Sequence, residues 1–135
     1  MELKVLQIRE GNGDAITSPA SIAQSMSEEG KADRELFWVL HLNTAHKIID
    51  KELVAMGTLN QANIHPREVF RKAILNSSYC MITVHNHPGG VAEPSDNDIK
   101  TWTRLRQAGD IIGIEVIDNI ILTPGGEYYS QADRK

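Results

Sequence analysis

Cysteine is almost absent from the chain. Cys80 is the only one among 135 residues, so an internal disulfide is excluded and a cytoplasmic location is the simplest expectation. There is no apolar run near the roughly 20 residues that a bilayer-spanning helix requires. The opening stretch, Met1 to Glu10, alternates polar and apolar residues and lacks the basic start and apolar core of a secretory signal. A basic surplus is also missing: 14 Lys and Arg stand against 18 Asp and Glu, for a net charge of -4. That balance argues against a protein whose main task is gripping nucleic acid. The small basic groups (Arg67, Arg71 and Lys72; Lys100, Arg104 and Arg106) fall on expected helices and read as solvated faces. Internal repeats and low-complexity tracts are lacking as well.

What is present is ordinary for a globular protein: 41% hydrophobic and 24% charged residues. The length suits one domain, large enough to bury a core without covalent or metal staples. We expect it to cover residues 1–135, with a strand and a helix in 1–30, a core in 31–123 and a polar tail in 124–135.

The pattern predicts a short strand at 3–9, free to pair with its own sheet or with a neighbouring copy, which leaves oligomeric state open. Ser18 and Pro19 supply an N-cap and a first helical residue, and the helix should run to about Glu28 and end near Gly30. From Leu36 to Leu42 the chain is almost wholly apolar, as in a buried strand. Asn43-Thr44 is a turn signal, and a second strand from about Lys47 to Met56 completes a hairpin broken by Gly57. Pro66 opens a helix to about Asn76 with Val69, Ala73 and Ile74 on its apolar face. Tyr79 to Val84 reads as an interior strand. A Gly- and Pro-rich loop from Asn86 to Pro94 leads to a helix from Ser95 to about Ala108, stopped by Gly109. Two late strands, about Ile111–Ile117 and Asn119–Leu122, precede the turn at Pro124-Gly125-Gly126. Mixed strands and helices of this kind predict an α/β or α+β fold, a mixed central sheet flanked by helices.

The informative residues lie between His85 and Asp98. His85 and His87 are two apart at a strand end, so both imidazoles project to one side and Asn86 to the other. The glycines and prolines that follow permit a compact reversal. Ser95 restarts regular structure as an N-cap, with Asp98 in the first turn. Ser95-x-x-Asp98 also fits a capping box, which alone would account for the acid. Helical periodicity adds a second demand on it. At about 100° per residue, Asp98 shares a stripe with Trp102, Leu105 and Gly109, whereas Lys100, Thr103, Arg104 and Gln107 lie opposite. A carboxylate on an inward stripe needs a partner, and a metal ion held by His85 and His87 would be one. Two histidines and one carboxylate leave a coordination position open for water, the arrangement of a hydrolytic zinc site.

The full spacing, His85-x-His87-x7-Ser95-x2-Asp98, resembles the motif of the JAMM (MPN-plus) metalloproteases at every position. Gly57-Thr58-Leu59-Asn60, His65-Pro66-Arg67-Glu68 and His85-Asn86-His87-Pro88-Gly89 look like the RadC branch of that superfamily, and the similarity extends over about residues 18–123. The resemblance implies a JAMM/cytidine-deaminase-like fold and one zinc per chain on His85, His87 and Asp98. It further implies a supporting hydroxyl on Ser95 and a glutamate, matched by Glu35, that takes a proton from the zinc-activated water. Glu52, Glu68 and Glu93 are rivals for that last role, and only geometry separates them. The implied reaction is hydrolysis of an amide in a peptide or protein substrate. The RadC name is linked to DNA repair, yet the charge does not support nucleic acid as a partner. Relatives often carry an N-terminal helix-hairpin-helix region, which about thirty residues before Glu35 would not accommodate.

Three other readings compete, beside a purely structural zinc, whose sites usually have four, cysteine-rich ligands. A binding or repair-accessory module could keep the metal site without turnover. A nuclease would use the same ion on a phosphodiester, although such sites favour paired ions and oxygen ligands. Cys80 as a nucleophile is the weakest, because its strand is apolar and a buried thiol is ordinarily inert. His41, His46, His65, Trp38 and Trp102 read as structural residues, and Tyr128-Tyr129 has no assigned role.

Overall fold

The computed structural model describes residues 18–60 and 62–134; the strand expected at 3–9 lies outside them. Helices α1 (Pro19–Ser25) and α2 (Ser27–Gly30) come first, then strands β1 (Leu36–Leu42) and β2 (Ile48–Met56). Helix α3 (Pro66–Leu75), strand β3 (Cys80–Asn86), helix α4 (Asp96–Ile112), strands β4 (Glu115–Leu122) and β5 (Tyr128–Ser130) and a final 3-10 turn (Ala132–Arg134) complete the order. The strands form one mixed sheet in the order β2-β1-β3-β4-β5. Only β3 and β4 run parallel, and α4 supplies the crossover that parallel neighbours require.

Strand alternation gives the sheet two apolar faces. Phe37, Val39, Met81 and Val116 pack with Val69, Phe70 and Ala73 of α3 and Leu105 of α4. On the opposite face Leu40, Leu42, Ile82, Val84, Ile120 and Leu122 pack with Ile22 and Met26. The mixed sheet with helices on both faces is the architecture expected from the sequence.

Several boundaries differ from the sequence pattern, each for a physical reason. The first helix is two short ones, because Met26 leaves helical geometry (φ -107°, ψ 25°). The Ser25 hydroxyl, bonded to Ile22 O at 3.1 Å, competes with the helical ladder there. In α3 the buried arc is Val69, Phe70 and Ala73, while Ile74 lies beyond it and is exposed. Tyr79 is outside β3, which continues through His85 to Asn86.

Gly109 does not stop α4. A Cβ there would stand 2.5 Å from Ile114 O, so glycine serves close approach inside the helix. The stop is Gly113, left-handed at φ 90°. The two late strands are one. Met81 pairs with Val116 and Ile82 with Asp118, so Ile117 is the extra residue of a bulge and not a break. The polar tail contains β5, in which Tyr129 pairs with Ile121.

Candidate metal centre

His85, the penultimate residue of β3, lies on the α4 side of the sheet. It stacks on Phe37, with ring centroids 6.3 Å apart, and tilts against Trp102 at 6.0 Å. Those two rings fix its plane. His87 follows two residues later, its N–H bonded to Leu122 O at 2.9 Å, which extends the parallel ladder beyond the strand. Its Nδ1 lies 2.7 Å from Val91 O. A carbonyl can only accept, so Nδ1 carries the proton and, in the neutral ring, Nε2 presents a lone pair.

Ser95 caps α4 and Asp98 completes a capping box. Ser95 Oγ accepts from Asp98 N at 3.1 Å, and Ser95 N donates to Asp98 Oδ2 at 2.9 Å. The same carboxylate turns inward with Thr101, Trp102, Leu105 and Gly109. The capping and inward-facing readings therefore hold together. The cap fixes the carboxylate, and the stripe aims it at the histidines.

His85 Nε2 lies 3.2 Å from His87 Nε2 and 3.3 Å from Asp98 Oδ1, and His87 Nε2 lies 3.1 Å from Asp98 Oδ2. One potential ligand atom from each residue lies within 4.8 Å of the others, so the triad can hold a metal ion. The chemistry of the set fits a cation. Two imidazole lone pairs and a carboxylate repel one another unless a proton or a metal ion sits between them. Side-chain exposure falls from 19% at His87 to 6% at Asp98 and 2% at His85, so the cluster opens to solvent on the His87 side.

Electrostatics point the same way. Burial alone would raise the Asp98 carboxyl, but hydrogen bonds from His85 and His87 outweigh it and hold the group far below the usual carboxylate range. The hydrogen bond to Asp98 pushes His87 up against the opposing effect of burial. Val91 O and the charges of Asp98 and Glu35 push in the same direction.

Glu35 sits one residue before β1, where Phe37 is paired with His85 in an antiparallel register. Continuing that count sets Glu35 level with His87, consistent with its charge being felt there. Two of the three rival acids have other partners. Glu52 Oε1 is 3.0 Å from His41 Nε2 on the hairpin, Glu68 pairs with Arg67 in solvent, and Glu93 is exposed.

Sequence reasoning did not find two contributors. Tyr129 stacks on Trp102 at 6.1 Å, behind the ring that abuts His85. Asn86 is buried, and its amide reaches across to residues 32–36. The alternation of β3 showed that Asn86 faces away from the histidines, but not what it meets. Cys80 is buried, and burial pushes its thiol up to about 11, which removes the thiolate a nucleophile needs.

The RadC-like JAB domain family matches residues 16–135. The chain belongs to that family. Curated relatives of this RadC-like chain are called UPF0758 proteins. The one from Finegoldia magna is 44% identical over 110 residues, covering 81% of this chain and 49% of its own length. The one from Desulforudis audaxviator is 45% identical over 108 residues, covering 79% and 47%. The one from Pelodictyon phaeoclathratiforme is 52% identical over 93 residues, covering 69% and 42%. This RadC-like chain thus spans about half the length of the curated relatives it matches. Among its described residues no helix is long and apolar enough to cross a membrane.

Proposed function

We propose that this RadC-like domain is a zinc-dependent hydrolase that cleaves an amide bond in a peptide or protein substrate, the zinc held by His85, His87 and Asp98. The observation that carries the reading is the convergence of two imidazole nitrogens and a buried carboxylate on one point, with a fourth side left to solvent. Imidazole-rich, single-ion sets suit zinc better than the oxygen-rich sites of magnesium-dependent phosphoryl transfer. Bound there, the ion would supply Lewis acidity and lower the pKa of a water toward neutrality.

The chain's own groups account for the remainder. Asp98 keeps a negative charge at any working pH, because the hydrogen bonds to it hold its carboxyl low. Val91 O fixes the tautomer of His87. Glu35, level with His87 and partly exposed, accepts a proton at its carboxylate and returns it to the leaving amine. Ser95 Oγ already accepts the Asp98 N–H, so its own hydroxyl hydrogen is free to donate to a developing oxyanion.

The test is hydrolysis of a panel of peptide, isopeptide and phosphodiester substrates by zinc-loaded protein, beside Glu35→Gln and Asp98→Ala. The reading requires amide cleavage that both variants lose. Zinc-loaded protein inert on every amide, or cleavage indifferent to Asp98→Ala, would overturn it.

A further inference from the structure

We propose that Asn86 is a positioning residue that ties the placement of Glu35 to the strand carrying both histidines. This rests on the reading of Glu35 as the proton acceptor. The main-chain pairing of β1 with β3 runs from Leu42 and Cys80 to Phe37 and His85. One step further the side chain of Asn86 takes over. Its Oδ1 accepts the Leu36 N–H at 2.7 Å, and its Nδ2 donates to Arg34 O at 2.9 Å and Ala32 O at 3.4 Å.

The consequence for Glu35 is specific. Arg34 O belongs to the peptide unit before the Glu35 Cα, and Leu36 N to the unit after it. The Glu35 carbonyl, in that second unit, accepts the Gly57 N–H at 2.9 Å. Both peptide planes flanking Glu35 are therefore anchored, and its two backbone dihedrals with them. The direction of its Cα–Cβ bond follows. Asn86 is 2% exposed and lies between His85 and His87 in the chain. One residue thus spaces the two imidazoles and holds the backbone of the acid just before the neighbouring strand β1.

The amide chemistry is required. A carboxamide offers an acceptor and two donor hydrogens within one short side chain, matching an N–H and two carbonyls. Alanine supplies neither, and aspartate keeps only the acceptor.

The test uses the full chain loaded with cobalt in place of zinc, reading metal stoichiometry, melting temperature and the pH midpoint of the cobalt absorption. A nearby carboxylate opposes formation of a second negative charge, so Glu35→Gln should lower the midpoint by about one unit. Asn86→Ala is expected to bind one cobalt and reproduce most of that drop, Asn86→Asp part of it. The double variant with Glu35→Gln should fall no further than Glu35→Gln alone. Asn86→Asp serves as the readout should Asn86→Ala fold poorly. A midpoint moved by Glu35→Gln but unmoved by both Asn86 variants, even with a lowered melting temperature, overturns the positioning role alone. A midpoint indifferent to Glu35→Gln removes the role of Glu35, and the proposal with it.

Discussion

The Nε2 atoms of His85 and His87 stand 3.2 Å apart, each within 3.3 Å of an oxygen of Asp98. Three features of the chain bring them there: the two-residue period of β3, the reversal through residues 88–94 and the capping box that opens α4.

The first prediction concerns pH. In the metal-free protein Asp98 titrates below its ordinary 3.8, so its contribution to stability is present above 3.8 and declines as pH falls below it. His87 titrates above its ordinary 6.5, so its contribution is full below 6.5 and is lost as pH rises through the higher folded-state value. Metal-free protein should therefore gain most from this cluster between those two values. Metal binding requires the neutral imidazole, so zinc should reverse the upper limb and make stability rise with pH there. Urea unfolding from pH 3 to 9, with zinc and with chelator, checks this. Parallel curves would contradict it.

Ser95→Ala removes a cap that accepts the Asp98 N–H but leaves the Ser95 main-chain N–H on Asp98 Oδ2. A stability loss of about 1 kcal/mol is expected, with metal stoichiometry unchanged. Amide hydrolysis should fall by roughly 10²–10³ if the hydroxyl supports an oxyanion. Denaturant unfolding and kcat separate the two effects, and a loss of metal would show that the cap positions Asp98.

Gly109→Ala tests a backbone approach. Alanine ordinarily favours a helix interior by about 1 kcal/mol over glycine. Here the new Cβ would meet Ile114 O at 2.5 Å and Phe70 at 3.4 Å, so we expect net destabilisation of roughly 1–3 kcal/mol. A raised melting temperature in thermal unfolding would contradict the close packing of α4 on the chain that enters β4.

Much of this was legible from local pattern. The apolar runs of β1 and β3, the hairpin and the Ser95 cap announce themselves within a few residues. The alternation at His85 and His87 and the helical phase of Asp98 also placed three polar side chains on one side. Contacts made by residues far apart in sequence were not legible. Gly109 looks like a helix stop until the passage of Ile114 is known. Asp118, read as a break between strands, follows the Ile117 bulge and accepts from Asn119 N, Ala132 N and the Ser130 hydroxyl. Tyr129 had no visible role because its partner Trp102 lies on another element. The amide of Asn86 closes on residues some fifty positions earlier, which no periodicity reports.

Glu35→Gln should leave zinc stoichiometry unaltered while lowering kcat on the best amide substrate by roughly 10²–10⁴, the range for a lost general base. Equal loss with Glu52→Gln, which removes the charge beside His41 on the hairpin, would mean that the hairpin and not proton transfer at Glu35 is at issue.

His85, His87 and Asp98 converge as a metal centre would. The most direct measurement is elemental analysis of protein purified without chelator or a histidine-rich tag, beside His85→Ala/His87→Ala and Asp98→Ala. About one zinc per chain is expected in the unaltered protein and none in either variant. No metal after zinc is offered, or an equal amount in the variants, would contradict it.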